Sequence, residues 1–226
     1  MSEFGLVIFD CDGVLVDSEV LACEAVSRQL RRHGVEISRA EVMRRFLGRS
    51  RAEIERYYLD LQGVPLPDSF ADDLAAETRK AFTGTLAAMP HADALLRQMR
   101  TPYCLASSSD RQRVEFSLNS TGLSPYFMDR IFTASQVARA KPAPDLFLLA
   151  AERMQCDAAR CLVIEDSISG VTAGKAAGMR VWGFIGGSHY ADRDGENPLR
   201  AAGADCVFSR LADIAHALNP GSVRVE

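Results

Sequence analysis

Apolar strand-like segments at Leu6 to Phe9, Tyr103 to Ala106, Arg130 to Thr133, Cys161 to Ile164, Val181 to Phe184 and Asp205 to Phe208 constrain the fold of this chain more than any other feature. Helix-like stretches separate the later ones, at Gln112 to Thr121, Pro144 to Met154, Ile168 to Ala177 and Leu211 to Leu218. Strand and helix alternating in this way predict an α/β fold, a Rossmann-like parallel sheet with helices on both faces.

The stretch between Ser18 and Gly84 breaks the pattern. It contains no convincing strand and reads as helices at Glu19 to His33, Arg39 to Phe46, Arg51 to Leu61 and Ser69 to Phe82. Ser38 and Ser50 are candidate N-caps, and Gly34 and Gly63 candidate stops. A helical insertion directly after the first strand predicts a small cap domain (residues 18–84) over that strand's carboxyl end, with residues 1–17 and 85–226 forming the α/β core. Pro220 to Glu226 reads as a frayed tail.

A net charge of -4 with no basic run argues against a nucleic-acid partner. The opening residues enter a strand at once, with neither a signal peptide nor a long apolar span, so the expectation is a cytoplasmic protein with no membrane partner. Cys11, Cys23, Cys104, Cys156, Cys161 and Cys206 form no CxxC pair and are expected to be reduced and mostly buried.

In an open parallel sheet, ligands bind where the carboxyl ends of strands meet the following loops. Asp10 and Asp12 follow the first strand, in IFDCDG; two positions apart, they are expected to project together from its edge. Two carboxylates held so close call for a divalent cation, and such a site suits phosphoryl chemistry. Ser107, Ser108 and Ser109 follow the second strand, and Glu165 and Asp166 a later one; Lys141, one of three lysines, precedes a helix. The histidines His33, His91, His189 and His216 are dispersed and adjoin no motif, which argues against a phosphohistidine mechanism. Gly183 to Gly187 lacks the GxGxxG spacing of dinucleotide binding and reads as a turn.

Asp10-x-Asp12, the serine after the second core strand, the lysine before a helix and the acidic pair after a later strand together resemble the ordered motifs of the haloacid dehalogenase superfamily. The resemblance runs along essentially the whole chain and includes the inserted helices. It implies a phosphatase with an aspartyl-phosphate intermediate: Asp10 as nucleophile, Asp12 as proton donor and acceptor, Ser107 and Lys141 on the phosphoryl group. It implies Mg2+ held by the Asp10 side chain, the Asp12 carbonyl and Asp166, with Glu165 joining directly or through water. Gly13, Ser108, Gly48, Arg49 and Arg51 are the substrate-binding candidates. The basic cluster of Arg44, Arg45, Arg49 and Arg51 is read either as reaching an anionic substrate group or as a solvated helix face.

Within the family, LGRSRAE around Gly48 and Arg51 is similar to the cap loop of β-phosphoglucomutases. Those mutases carry a cap histidine where this chain has Ala22, which favours water as the final acceptor. The expected substrate is a small phosphorylated metabolite, a sugar phosphate or sugar-acid phosphate such as 6-phosphogluconate, handled by a monomer or weak homodimer. The alternatives are a phosphomutase and a phospho-accepting or catalytically inactive binding module.

Overall fold

The run LVIF at residues 6–9 has no solvent exposure at any position, as a strand covered on both faces requires. In the computed structural model, which describes residues 3–49 and 51–219, this run is one of the two central strands of a six-stranded sheet. The strands are β1 (Leu6–Phe9), β2 (Tyr103–Ser107), β3 (Ile131–Thr133), β4 (Cys161–Glu165), β5 (Arg180–Phe184) and β6 (Cys206–Phe208). They pair in the order β3-β2-β1-β4-β5-β6, every neighbour parallel. The expected α/β parallel sheet is therefore what the chain forms.

This order decides where a site can be built. From β1 the chain proceeds outward through β2 and β3, then crosses back to β4 on the other side of β1 and proceeds outward again. The connections after β1 and β4 thus leave in opposite directions, and the crevice between their carboxyl ends is the switch point of the sheet. Asp10 N–H donates to Ile164 O at 3.0 Å, holding the two strand ends together at that point.

Helices α1 (Glu19–Arg32), α2 (Arg39–Phe46), α3 (Arg51–Gln62) and α4 (Phe70–Phe82) follow β1 in sequence. Then come α5 (Ala92–Gln98), α6 (Arg111–Ser120), α7 (Asp145–Arg153), α8 (Ile168–Ala176), α9 (Glu196–Ala201) and α10 (Leu211–Leu218). The chain divides into two compact units, Met1–Asp17 with Ala87–Glu226, and Ser18–Leu86. The second runs past residue 84 because Thr85 and Leu86 fold back, their N–H groups donating to Phe82 O at 3.1 and 2.9 Å.

In the sheet unit, Leu6, Ile8, Val163, Val181, Leu146 and Phe147 belong to one buried cluster that joins β1, β4 and β5 to α7. Each such side chain contributes about 1.5–3 kcal/mol by leaving water. The helical unit has its own core, in which Leu30, Val42, Phe46, Ile54, Tyr58 and Phe70 meet. Ser38 caps α2, its hydroxyl accepting from Glu41 N–H at 3.1 Å. Glu77 on α4 is buried and takes Arg28 at 3.3 Å and Arg32 at 3.2 Å from α1, tying those helices together. The expected cap Ser50 and the expected tail Pro220 to Glu226 lie outside the described residues.

Two short helices, α5 and α9, stand where the sequence reading places none. At seven and six residues they hold too few turns to display a periodic apolar face. Gly183, expected in a turn, lies in β5, where an added Cβ would sit 3.0 Å from Leu199 and 3.2 Å from Val207. Among the described residues, no helix is long and apolar enough to cross a membrane.

Candidate active site

Asp10 follows β1, Glu165 ends β4 and Asp166 follows it, so the switch point brings three carboxylates together from two strands. Each offers an oxygen, and these oxygens all lie within 4.8 Å of one another. The residues are only 6%, 1% and 7% exposed. Lys141, from the loop before α7, donates to Asp10 Oδ1 at 2.7 Å, Glu165 Oε1 at 2.8 Å and Ala106 O at 3.0 Å. Its ammonium also lies 4.6 Å from the centre of the Phe147 ring.

The electrostatics follow from this count. One ammonium stands against three buried carboxylates, a deficit of positive charge that a low-dielectric pocket does not tolerate. Burial pushes the Asp10 carboxyl well above the usual carboxylate range; Lys141 opposes the shift, and Glu165 and Asp166 reinforce it. Burial alone would lower the Lys141 ammonium, but Asp10 and Glu165 outweigh it and hold the group above its ordinary value. The donor set is all oxygen, converging and short of positive charge, which fits a hard divalent cation such as Mg2+.

Glu165 is held on both oxygens. Its Oε2 accepts from Ser167 N–H at 3.0 Å and Ser167 Oγ–H at 3.2 Å, while Oε1 receives Lys141. Ser167 in turn caps α8, accepting from Gly170 N–H at 3.0 Å. The helix start approaches Glu165 so closely that a Cβ on Gly170 would lie 1.6 Å from Glu165 Oε1. The start of α8 and the acidic cluster thus meet at this residue.

Asp12 has different company. Ser109 Oγ–H donates to its Oδ2 at 2.7 Å, and Arg113 Nη2 on α6 donates to its Oδ1 at 2.9 Å. The two aspartates share a loop but not their partners: Asp10 faces Lys141, and Asp12 faces α6. β1 ends at Phe9, so both aspartates lie beyond the last residue of the strand, at its carboxyl end. Gly13 has φ +76, and a Cβ there would lie 1.9 Å from Asp166 Oδ2. Cys11, between the aspartates, is fully buried, and burial, then Asp12 and Asp10, push its thiol up, which leaves it a poor nucleophile.

Ser107 ends β2 almost fully buried, its Oγ accepting from Ser109 N–H at 3.0 Å. Ser108 follows it in the same loop. Gly48, Arg49 and Arg51 lie in the other unit, where Arg49 pairs with Glu53 at 2.7 Å and Arg51 with Glu55 at 2.9 Å. Arg44 and Arg45 both pair with Glu41. With Phe46, Arg56 and Tyr57, Arg44, Arg45 and Arg49 line a cavity of about 380 Å³.

His189 is the residue that sequence reasoning passes over. It stands among histidines that adjoin no motif along the chain, yet its Nε2 lies 3.2 Å from Asp166 Oδ2 with both side chains buried. The signal is the run GGSHY leaving β5, the strand beside β4, on the same edge of the sheet. Arg113 escapes notice as well; it lies on the first turn of α6, three residues after the N-cap Asp110.

The family model for haloacid dehalogenase-like hydrolases matches residues 4–178 of this chain. The chain belongs to this family. Over 190 residues, 84% of this hydrolase and 86% of the relative, it is 33% identical to 6-phosphogluconate phosphatase of Escherichia coli (strain K12). A conserved haloacid dehalogenase-like protein of unknown function from Agrobacterium tumefaciens superimposes with a TM-score of 0.83 at 35% identity, covering 96% of this chain and 98% of that one. A haloacid dehalogenase-family hydrolase from Deinococcus radiodurans R1, solved with bound phosphate and sodium, gives a TM-score of 0.78 at 33% identity, covering 97% of each chain. The expected enzyme class, a phosphatase of this family, is borne out.

Proposed function

We propose that this hydrolase removes the phosphoryl group from a small sugar phosphate or sugar-acid phosphate, with 6-phosphogluconate the first candidate, through an aspartyl-phosphate on Asp10. The observation that carries the reading is the buried cluster of Asp10, Glu165, Asp166 and Lys141 at the switch point. The likeness to a 6-phosphogluconate phosphatase over most of both chains supports the substrate class.

The Asp10 and Asp166 side chains and the Asp12 carbonyl would hold Mg2+, with Glu165 beside them. When bound, the ion supplies positive charge to the phosphoryl oxygens and relieves the repulsion among the carboxylates. The chain's own residues do the rest. Asp10 attacks phosphorus, forming the carboxyl-phosphate bond as the ester bond to the leaving oxygen breaks. Lys141, already against Asp10, offsets charge on the transferring group, and Ser107 Oγ–H donates to a phosphoryl oxygen. Asp12, held by Ser109 and Arg113, enters this step protonated and hands that proton to the leaving oxygen. It then takes one from the water that cleaves the aspartyl-phosphate.

The test is phosphate release from a panel of phosphorylated sugars and sugar acids, with and without Mg2+, beside the Asp10→Asn variant. Magnesium-dependent release that Asp10→Asn abolishes, fastest on a sugar-acid phosphate, is expected. A requirement for a sugar bisphosphate with an isomerised sugar phosphate as product would overturn the reading in favour of a mutase.

A further inference from the structure

Three consecutive residues after β5 each make a contact at the edge of the site. Ser188 N–H and Oγ–H donate to Asp17 Oδ1 at 3.0 and 2.8 Å. His189 Nε2 lies 3.2 Å from Asp166 Oδ2, and Tyr190 Oη–H donates to the Asp166 carbonyl. A carboxylate oxygen only accepts, so in this 3.2 Å contact a shared hydrogen can come only from Nε2. Asp166 thus has neighbours from one turn at both its side chain and its backbone carbonyl, while Ser188 of that turn donates to Asp17 on the segment that leaves Asp12.

The local sequence makes room for this grip. A Cβ on Gly187 would lie 2.6 Å from the His189 ring, and one on Gly13 would lie 3.1 Å from His189 Cε1 and 1.9 Å from Asp166 Oδ2. Gly195 gives the same clearance to Tyr190, whose ring lies 2.3 Å from where a Cβ would be. The His189 and Tyr190 rings pack on one another with centroids 4.2 Å apart. Two glycines thus border a histidine that is 2% exposed and has its Nε2 3.2 Å from one carboxylate oxygen. A histidine kept only to fill space needs no such alignment, since an apolar ring would fill it without a donor to satisfy.

We propose that His189 is a positioning residue for the metal site: its Nε2–H fixes Asp166 Oδ2 in the orientation in which Asp166 holds the divalent cation. The proposal rests on the reading of Asp166 as a metal ligand. Partners that orient ligating carboxylates are commonly worth about 10- to 100-fold in metal affinity.

The test is Mg2+ binding to the metal-free enzyme by calorimetry, without substrate, for the wild type, His189→Gln, His189→Asn and Asp166→Asn. Glutamine places an amide N–H near the position of Nε2, and asparagine falls short of it. His189→Asn is expected to weaken Mg2+ binding about 10- to 100-fold and His189→Gln by no more than about threefold, with closely similar thermal unfolding midpoints. If His189→Asn does not purify folded, His189→Leu, which likewise places no donor at Asp166 Oδ2, is measured in its place and is expected to weaken binding by at least about threefold. Equal affinities for the wild type and His189→Asn, or for the wild type and His189→Leu where that substitutes, overturn the proposal. Undiminished binding in Asp166→Asn overturns instead the reading of Asp166 as a ligand.

Discussion

Lys141 Nζ donates to Asp10 Oδ1 across 2.7 Å, although 131 positions of sequence separate the two residues. Removing that ammonium leaves buried carboxylates facing one another. Lys141→Met is expected to cost about 3–5 kcal/mol of stability, the penalty of an orphaned buried charge. It is also expected to lower kcat/KM about 100- to 1000-fold. Lys141→Arg should rescue neither, because a planar guanidinium cannot replace a compact ammonium between two carboxylates and the Ala106 carbonyl. Denaturant unfolding and steady-state phosphate release check both.

The separate custody of Asp12 predicts an effect on rate with little effect on the fold. Arg113→Gln removes the charged donor to Asp12 Oδ1 and is expected to lower kcat about tenfold, with Asp12→Asn lower by about 100- to 10,000-fold. An Arg113→Gln enzyme with unaltered kcat would mean that the pairing has no part in the role proposed for Asp12.

Much of this arrangement is legible in the amino-acid order. Phe9 ends a run that has to be buried, so Asp10 is forced to a strand end, and Glu165 and Asp166 come after CLVI by the same logic. The boundaries of α2 and α10 coincide with the sequence reading, because Ser38 marks one start and sharp apolar periodicity defines the other. Partners chosen across the fold are harder to read. Nothing local to Arg113 says that it meets Asp12, and His189 meets Asp166 only because β5 is the neighbour of β4. The arginines at 49 and 51 illustrate the opposite limit: each has a glutamate four residues on, a pairing that the sequence displays beside the substrate reading.

Gly170 should accept no side chain. A Cβ there would lie 1.6 Å from Glu165 Oε1 and 2.0 Å from its Cδ, so Gly170→Ala has to displace either α8 or the carboxylate. The expected loss is about 1–3 kcal/mol of stability, accompanied by reduced turnover as Glu165 moves relative to Lys141. A thermal melt and an activity assay on the same preparation test this, and an active enzyme with an unaltered melting temperature would refute it.

Asp205 provides a pH-dependent contribution remote from the cluster. Burial works against its carboxylate, but Val181 N–H at 2.7 Å and Lys175 at 2.9 and 3.0 Å outweigh it and hold the group below its ordinary value. A depressed carboxyl stabilises the fold above its unfolded-state value and loses that contribution as pH falls through the folded one. Asp205→Asn is expected to be about 1 kcal/mol less stable near neutrality. The difference should shrink as pH falls below the ordinary carboxylate range; a difference in urea midpoints that stays constant through that fall would contradict the assignment.

The central place of β1 also bears on how the chain is made. Leu6–Phe9 precedes its partners in the sheet, which begin at Tyr103 and Cys161, by the whole helical unit. A fully apolar strand with two open edges therefore waits for that length of chain to be made before either neighbour exists. The strand that leads into Asp10 is thus open to capture by chaperones, or by another nascent chain, until its neighbours have been made.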